Sequence, residues 1–219
     1  MTNSQTLYKK SNKSRLAEMG DLAPEAFKTF SSFNSNALKE GALSAKLKEL
    51  IAVAVAHVTG CAYCIDSHVK KAKTLGMTKE EMAEVIMVAT ALKAGSALAH
   101  GVNALNAFDQ IEEEELYKKS YIKRMSEFLE LNQETFGAFF TFDKLAMKRG
   151  LLTVKEKELI AVAVAHTTGC PYCIDGHVKG AKGAKASKEE MAEAILVATA
   201  LKAGSALAHS VNALSAYDS

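Results

Sequence analysis

The chain has no tryptophan and only two prolines among its 219 residues. That scarcity fits an alanine-rich helical protein better than a β-sandwich. Charge imbalance is also missing: 27 Lys and Arg face 25 Asp and Glu, a net of +2. Electrostatic recruitment to nucleic acid or to a membrane surface is therefore not expected. The N-terminal stretch Met-Thr-Asn-Ser-Gln-Thr-Leu-Tyr holds no apolar h-region, which argues against a secretory signal. No charge-free apolar run of about 18 residues marks a membrane span. A cytoplasmic protein is the expectation. Cysteine is scarce too, with four in all, and in a reducing compartment a C-x-x-C pair is more often redox-active or metal-binding than a permanent staple.

Those four cysteines occupy two copies of one motif. Glu49–His68 reads E-L-I-A-V-A-V-A-H-V-T-G-C-A-Y-C-I-D-S-H, and Glu158–His177 reads E-L-I-A-V-A-V-A-H-T-T-G-C-P-Y-C-I-D-G-H. The offset is 109 residues without a gap, and of the 61 positions aligned between 49–109 and 158–218 only 14 differ. Upstream the likeness fades but persists: Phe27, Phe30 and Phe33 match Phe136, Phe139 and Phe142, while Gly41 and Leu43 match Gly150 and Leu152. Two homologous units, 16–109 and 125–218, are expected, joined by a solvated linker at 110–124 whose acid run Glu112–Glu115 precedes Lys118 and Lys119.

The periodicity is helical throughout, so the fold class is all-α. Pro24 starts a helix with a phenylalanine stripe at three-residue spacing, and Gly41 is read as its end. The run L-I-A-V-A-V-A-H could pass for a buried strand, but its alanines and the capping box Thr153–Glu156 in the second copy favour a buried helix. Gly60 and Gly169 stop that helix just before the first cysteine of each pair. A short helix then carries C-x-x-C and the histidine. A second capping box, Thr78–Glu81 or Ser187–Glu190, opens a long helix that a last segment follows or continues across Gly95.

On one helical face, Cys64 lies about a turn after Cys61, and His68 a turn further on. Unpaired N–H groups at the helix start favour an anion, a paired thiol can donate to a thiolate, and an imidazole can take its proton. Cys61 has the helix start and the expected better exposure, Cys64 the nearer histidine, and the sequence leaves open which attacks first. Glu49, twelve residues before Cys61, reaches the thiols only if the two helices fold back on each other. It would then orient His68, and burial would raise its pKa and suit it to accept a proton. A zinc-stabilised helical module is the non-enzymatic alternative, with Cys₂His completed by His57 or His100. C-P-Y-C also resembles the glutaredoxin motif, but that fold needs strands. His57, His166, His100 and His209 read as core histidines, Asp66 and Asp175 as cap or first-turn residues of the cysteine helix, and Tyr63 and Tyr172 as lid or packing groups.

Glu49, Cys61-x-x-Cys64 and His68, followed by K-E-E-M-A-E and K-A-G-S-A-L-A-H, resemble the alkylhydroperoxidase AhpD-like branch of the carboxymuconolactone decarboxylase family. The resemblance implies two all-helical units packed as an intramolecular pseudo-dimer, and assembly into homo-oligomers, a trimer of two-unit chains being favoured. It implies a thiol-dependent peroxidase or disulfide oxidoreductase that reduces hydroperoxides, with a protein or lipoyl disulfide reductase as the alternative. Glu49, Cys61, Cys64 and His68, with Glu158, Cys170, Cys173 and His177, are its implied catalytic residues. No bound cofactor or metal is implied; a redox-active disulfide is re-reduced by an external dithiol, such as a lipoyl-protein. The family motif has a histidine directly before the second cysteine, where this chain has Tyr63 and Tyr172.

Overall fold

A computed structural model describes residues 7–218. Each unit is a short 3₁₀ turn followed by five α-helices, and every described element of regular structure is helical. The first unit contains the turn Lys10–Arg15, α1 (Leu16–Leu22), α2 (Pro24–Leu38), α3 (Ala45–Thr59), α4 (Ala62–Thr74) and α5 (Lys79–Phe108). The second repeats it with the turn Lys119–Arg124, α6 (Met125–Leu131), α7 (Gln133–Met147), α8 (Val154–Thr168), α9 (Pro171–Gly183) and α10 (Lys188–Tyr217). The structural repeat thus begins before the boundaries read from the sequence. Of the stretch 110–124, the acid run is exposed, while Lys119–Arg124 is a 3₁₀ turn packed on α5 and α6.

The Ala/Val runs of α3 and α8 are helices, buried on all sides from Leu50 to Ala56 and from Leu159 to Ala165. A helix apolar all round needs neighbours all round. One unit does not supply them: α3 and α8 pack on each other, and α5 and α10 each pack against both. The long helices are exchanged. α10 lies along α1, α2 and α4 of the first unit, and α5 along α6, α7 and α9 of the second. The two units therefore form an interlocked intramolecular pseudo-dimer. Each long helix is continuous through Gly95 or Gly204. By length and composition alone both could cross a membrane, but each spends part of its apolar surface inside this bundle.

Local signals set the helix ends. Gly60 and Gly169 adopt positive φ at the C-caps of α3 and α8, and Thr78, Thr153 and Ser187 form capping boxes. Gly41 is not a helix end: α2 stops at Leu38. Its role is to leave room for a carboxylate, since a Cβ there would sit 2.2 Å from Glu193 Oε1. Glu193, on α10, accepts the N–H groups of Ala42 and Leu43 at 2.9 and 2.8 Å and faces the buried Lys48 ammonium at 3.0 Å. Glu84 on α5 does the same for Leu151, Leu152 and Lys157 beside Gly150. These reciprocal clamps tie each exchanged helix to the other unit's loop. Burial would raise both carboxyls, but the backbone N–H groups and the lysines outweigh it and hold them below their ordinary value.

Glu193→Gln leaves Lys48 buried without its counter-charge. Because Glu193 is partly exposed, the expected loss is about 2 kcal/mol, below the range for a fully buried pair; Glu84→Gln should match it, as read by urea denaturation. Since both folded pKa values are depressed, the wild-type contribution is complete above the unfolded carboxylate value, about 4.3. It is lost as pH falls through the lower folded values. The two variants should therefore converge on wild-type stability in acid.

Candidate functional site

Folding back at Gly60 brings α3 and α4 side by side, and Glu49 meets His68: Oε2 lies 2.7 Å from Nδ1. In the second unit Glu158 and His177 are 2.9 Å apart. Glu49 is 1% exposed, with Lys71 Nζ 2.9 Å from its other oxygen. Burial alone would raise its pKa, but hydrogen bonds from His68 and Lys71 win and hold it below its ordinary value. The expectation of a raised Glu49 is thus overturned: its partners favour the carboxylate form. An ionised carboxylate only accepts, so the imidazole donates through Nδ1 and leaves Nε2 as a lone-pair acceptor.

The cysteines start the next helix. Cys61 is the N-cap of α4, its Sγ accepting the Cys64 N–H at 3.2 Å, and Cys170 caps α9 in the same way at 3.3 Å. Asp66 and Asp175, read as first-turn residues, lie in the second turn instead, paired with lysines. Cys61 and Cys64 are disulfide-bonded, whereas Cys170 and Cys173 are free with sulfurs 2.6 Å apart. Both copies hold their sulfurs within bonding reach.

Exposure runs opposite to the sequence expectation. Cys61 and Cys170 are fully buried, while Cys64 and Cys173 line cavities of about 280 and 180 Å³ together with His68 and His177. The helix start turns its cap inward, against the exchanged helix. Buried Cys170 is nonetheless the better anion. A hydrogen bond from the Cys173 thiol, opposed by burial but helped by the Cys173 N–H, the Ser96 hydroxyl and the nearby His100, brings it down to about 6. The bond to Cys170, and then burial, push Cys173 above its ordinary value.

Ser96 and His100 belong to α5 of the first unit but serve the second unit's cysteines. Likewise Gly204, Ala208 and Val211 of α10 close the cavity over Cys64. His100, weighed as a zinc ligand beside Cys61, therefore stands at the other site, bonded to Tyr117 at 3.1 Å. His57 and His166 back-bond to Val53 and Val162 carbonyls and line separate surface hollows. Among the described residues no three His, Cys, Asp or Glu side chains converge as metal ligands.

Tyr63 and Tyr172 are packing groups at the cavity walls. Tyr8 lies against Tyr63 and His209, and Tyr117 against Tyr172 and His100. The sequence reading missed Tyr8 and Tyr117, although Leu-Tyr-Lys-Lys-Ser at 7–11 recurs at 116–120 and signals that the repeat includes them.

Comparison with known proteins agrees with this architecture. A protein described as "uncharacterized protein 4 in cox locus" of Paracoccus denitrificans is 49% identical over 81 residues, 37% of this chain and 73% of that one. An uncharacterized protein of Cupriavidus necator is 33% identical over 93 residues, 42% of this chain and 82% of its own length. A crystal structure from Burkholderia xenovorans, provisionally assigned as a gamma-carboxymuconolactone decarboxylase subunit, superposes with a TM-score of 0.63 at 20% identity. It covers 90% of this chain and 93% of that one, a likeness of fold. The carboxymuconolactone decarboxylase family model matches twice, at 24–107 and 133–216, and the chain belongs to that family as two tandem copies.

Proposed function

We propose that the chain is a thiol-dependent peroxidase and disulfide oxidoreductase of the alkylhydroperoxidase type, with one site per unit. The observation that carries the reading is a pocket-facing cysteine sharing a cavity with an imidazole held by a carboxylate, buried at Glu49 and half-buried at Glu158, its partner cysteine within bonding reach. Lactone decarboxylation has no use for that dithiol.

In the reduced state His68 or His177 takes the proton of Cys64 or Cys173 through Nε2, while Glu49 or Glu158 holds Nδ1–H. The thiolate attacks the terminal oxygen of a hydroperoxide. The S–O bond forms, the O–O bond breaks, and the leaving alkoxide takes the proton back, giving an alcohol and a sulfenic acid. The buried Cys61 or Cys170 thiolate then attacks that sulfur, forming the disulfide as the S–O bond breaks, and the leaving hydroxide takes a proton from solvent to give water. An external dithiol restores the pair by attacking the cavity-facing sulfur of Cys64 or Cys173, so the fully buried cysteine leaves. A low pKa makes Cys170 a good leaving thiolate, which suits exchange with a small dithiol or a lipoyl-protein. Such a reductant fits a cytoplasmic setting. The reading includes the further assembly of chains into a trimer that the family resemblance implies.

The deciding assay couples an organic hydroperoxide to dihydrolipoamide. Cys64→Ser with Cys173→Ser should abolish turnover, whereas unchanged turnover would rule the mechanism out. A titration of thiolate absorbance in the reduced chain should show one ionisation near pH 6 from Cys170. Ser96→Ala should move that midpoint upward, because the hydroxyl no longer supports the anion. An unmoved midpoint would remove Ser96 from the site.

A further inference from the structure

Some of the positions at which the repeats differ lie at or beside the two cavities. Lys13 lines the first cavity, and its counterpart in the second is Ile122. Asn34 lines the first, Asp143 the second. Lys71 pairs with Glu49 at 2.9 Å, but its counterpart is Gly180, where a Cβ would sit 2.5 Å from Glu158 Oε2, so that carboxylate fills the space and has no lysine there. Two of the three changes remove a cation from the second site, and the third puts an acid in place of an amide.

Around the neighbouring aspartate the two sites differ by that same Lys13 alone. Asp66 is ringed by Lys10, Lys13 and Lys70 at 3.5, 2.8 and 2.8 Å, a surplus of cations at the mouth of the first cavity. Asp175 has Lys119 and Lys179. Deeper in, Asp143 is a half-buried acid whose carboxyl is pushed up by burial, against the pull of His177, with Glu158 adding to the rise. Charged or protonated, it contributes no cation. The first cavity is also the roomier, about 280 against 180 Å³.

We propose that the two sites have diverged in substrate charge: the Cys61–Cys64 site takes anionic substrates, such as a carboxylate-bearing hydroperoxide or disulfide, and the Cys170–Cys173 site takes neutral, compact ones. The proposal deepens the oxidoreductase reading and rests on it for the reaction. The residues that set the preference are Lys13, Asn34 and Lys71 against Ile122, Asp143 and Gly180. None of them exchanges electrons; they set the potential in which a substrate approaches the exposed sulfur.

Two probes of similar size separate the charge effect from intrinsic thiol reactivity: iodoacetate, an anion, and iodoacetamide, its neutral analogue. The fully reduced wild-type chain is treated with an equal mixture, and the peptides carrying Cys64 and Cys173, which differ in sequence, are quantified by mass spectrometry. The carboxymethyl to carbamidomethyl ratio should be about tenfold higher at Cys64, as expected for two or three charge differences in a partly solvated site. Asn34→Asp with Lys13→Ile should lower the ratio at Cys64, and Asp143→Asn with Ile122→Lys should raise it at Cys173. Equal ratios at the two sites, or ratios that do not follow these exchanges, overturn the proposal. Absence of peroxide turnover with the ratios still divided would instead sink the peroxidase reading and leave the charge divergence standing.

Discussion

Burial of the α3 and α8 helices on every side is the constraint from which the rest of this structure follows. Alanine and valine give the runs Leu50–Ala56 and Leu159–Ala165 slim surfaces that are apolar all round, and water must be kept from all of them. A single unit has too few helices to do so. The solution is exchange: α5 and α10 cover the central pair and continue onto the opposite unit. Once that has happened, neither dithiol site is complete within its own repeat. The thiols and the carboxylate–imidazole pair come from one unit, and the wall that closes the cavity comes from the other.

Placing a glutamate in such a core requires partners. Glu49 is tolerated because His68 and Lys71 meet its two oxygens. What the core gains is an imidazole fixed in one tautomer beside a pocket-facing thiol. The division of labour between the cysteines has the same origin. The N-cap position gives Cys61 and Cys170 the backbone N–H, and the exchanged helix buries them; one turn later Cys64 and Cys173 look into the cavity. The sulfur best suited to carry charge is thus not the one a substrate reaches first.

Fusion of the two units changes what variation can do. In a symmetric pair of identical chains every substitution appears twice. Here Lys71 and Gly180, or Asn34 and Asp143, vary independently, while the run 48–57 of α3 is identical to 157–166 of α8. The two sites can therefore differ without any change in that central pair.

Much was legible in the sequence. Capping boxes, the glycine stops before each Cys pair and the 3.6-residue period act over one or two turns, and the helices they announce are present with those ends. The repeat itself announced the pseudo-dimer. Gly41 was misread because its reason is not local: the atom it makes room for belongs to Glu193, 152 positions away. Ser96 and Asp143 were invisible as site residues for the same reason, His100 was weighed for the copy it does not serve, and the depressed pKa of Glu49 depends on Lys71 as well as His68. The sequence by itself determined the helices, the duplication and the identity of the thiol, imidazole and carboxylate groups, since these follow from short-range backbone chemistry and side-chain type. Only the tertiary structure decided which cysteine faces the cavity, which unit closes it and what charge surrounds it. Those properties depend on solvent exclusion and on distances between helices far apart in the chain.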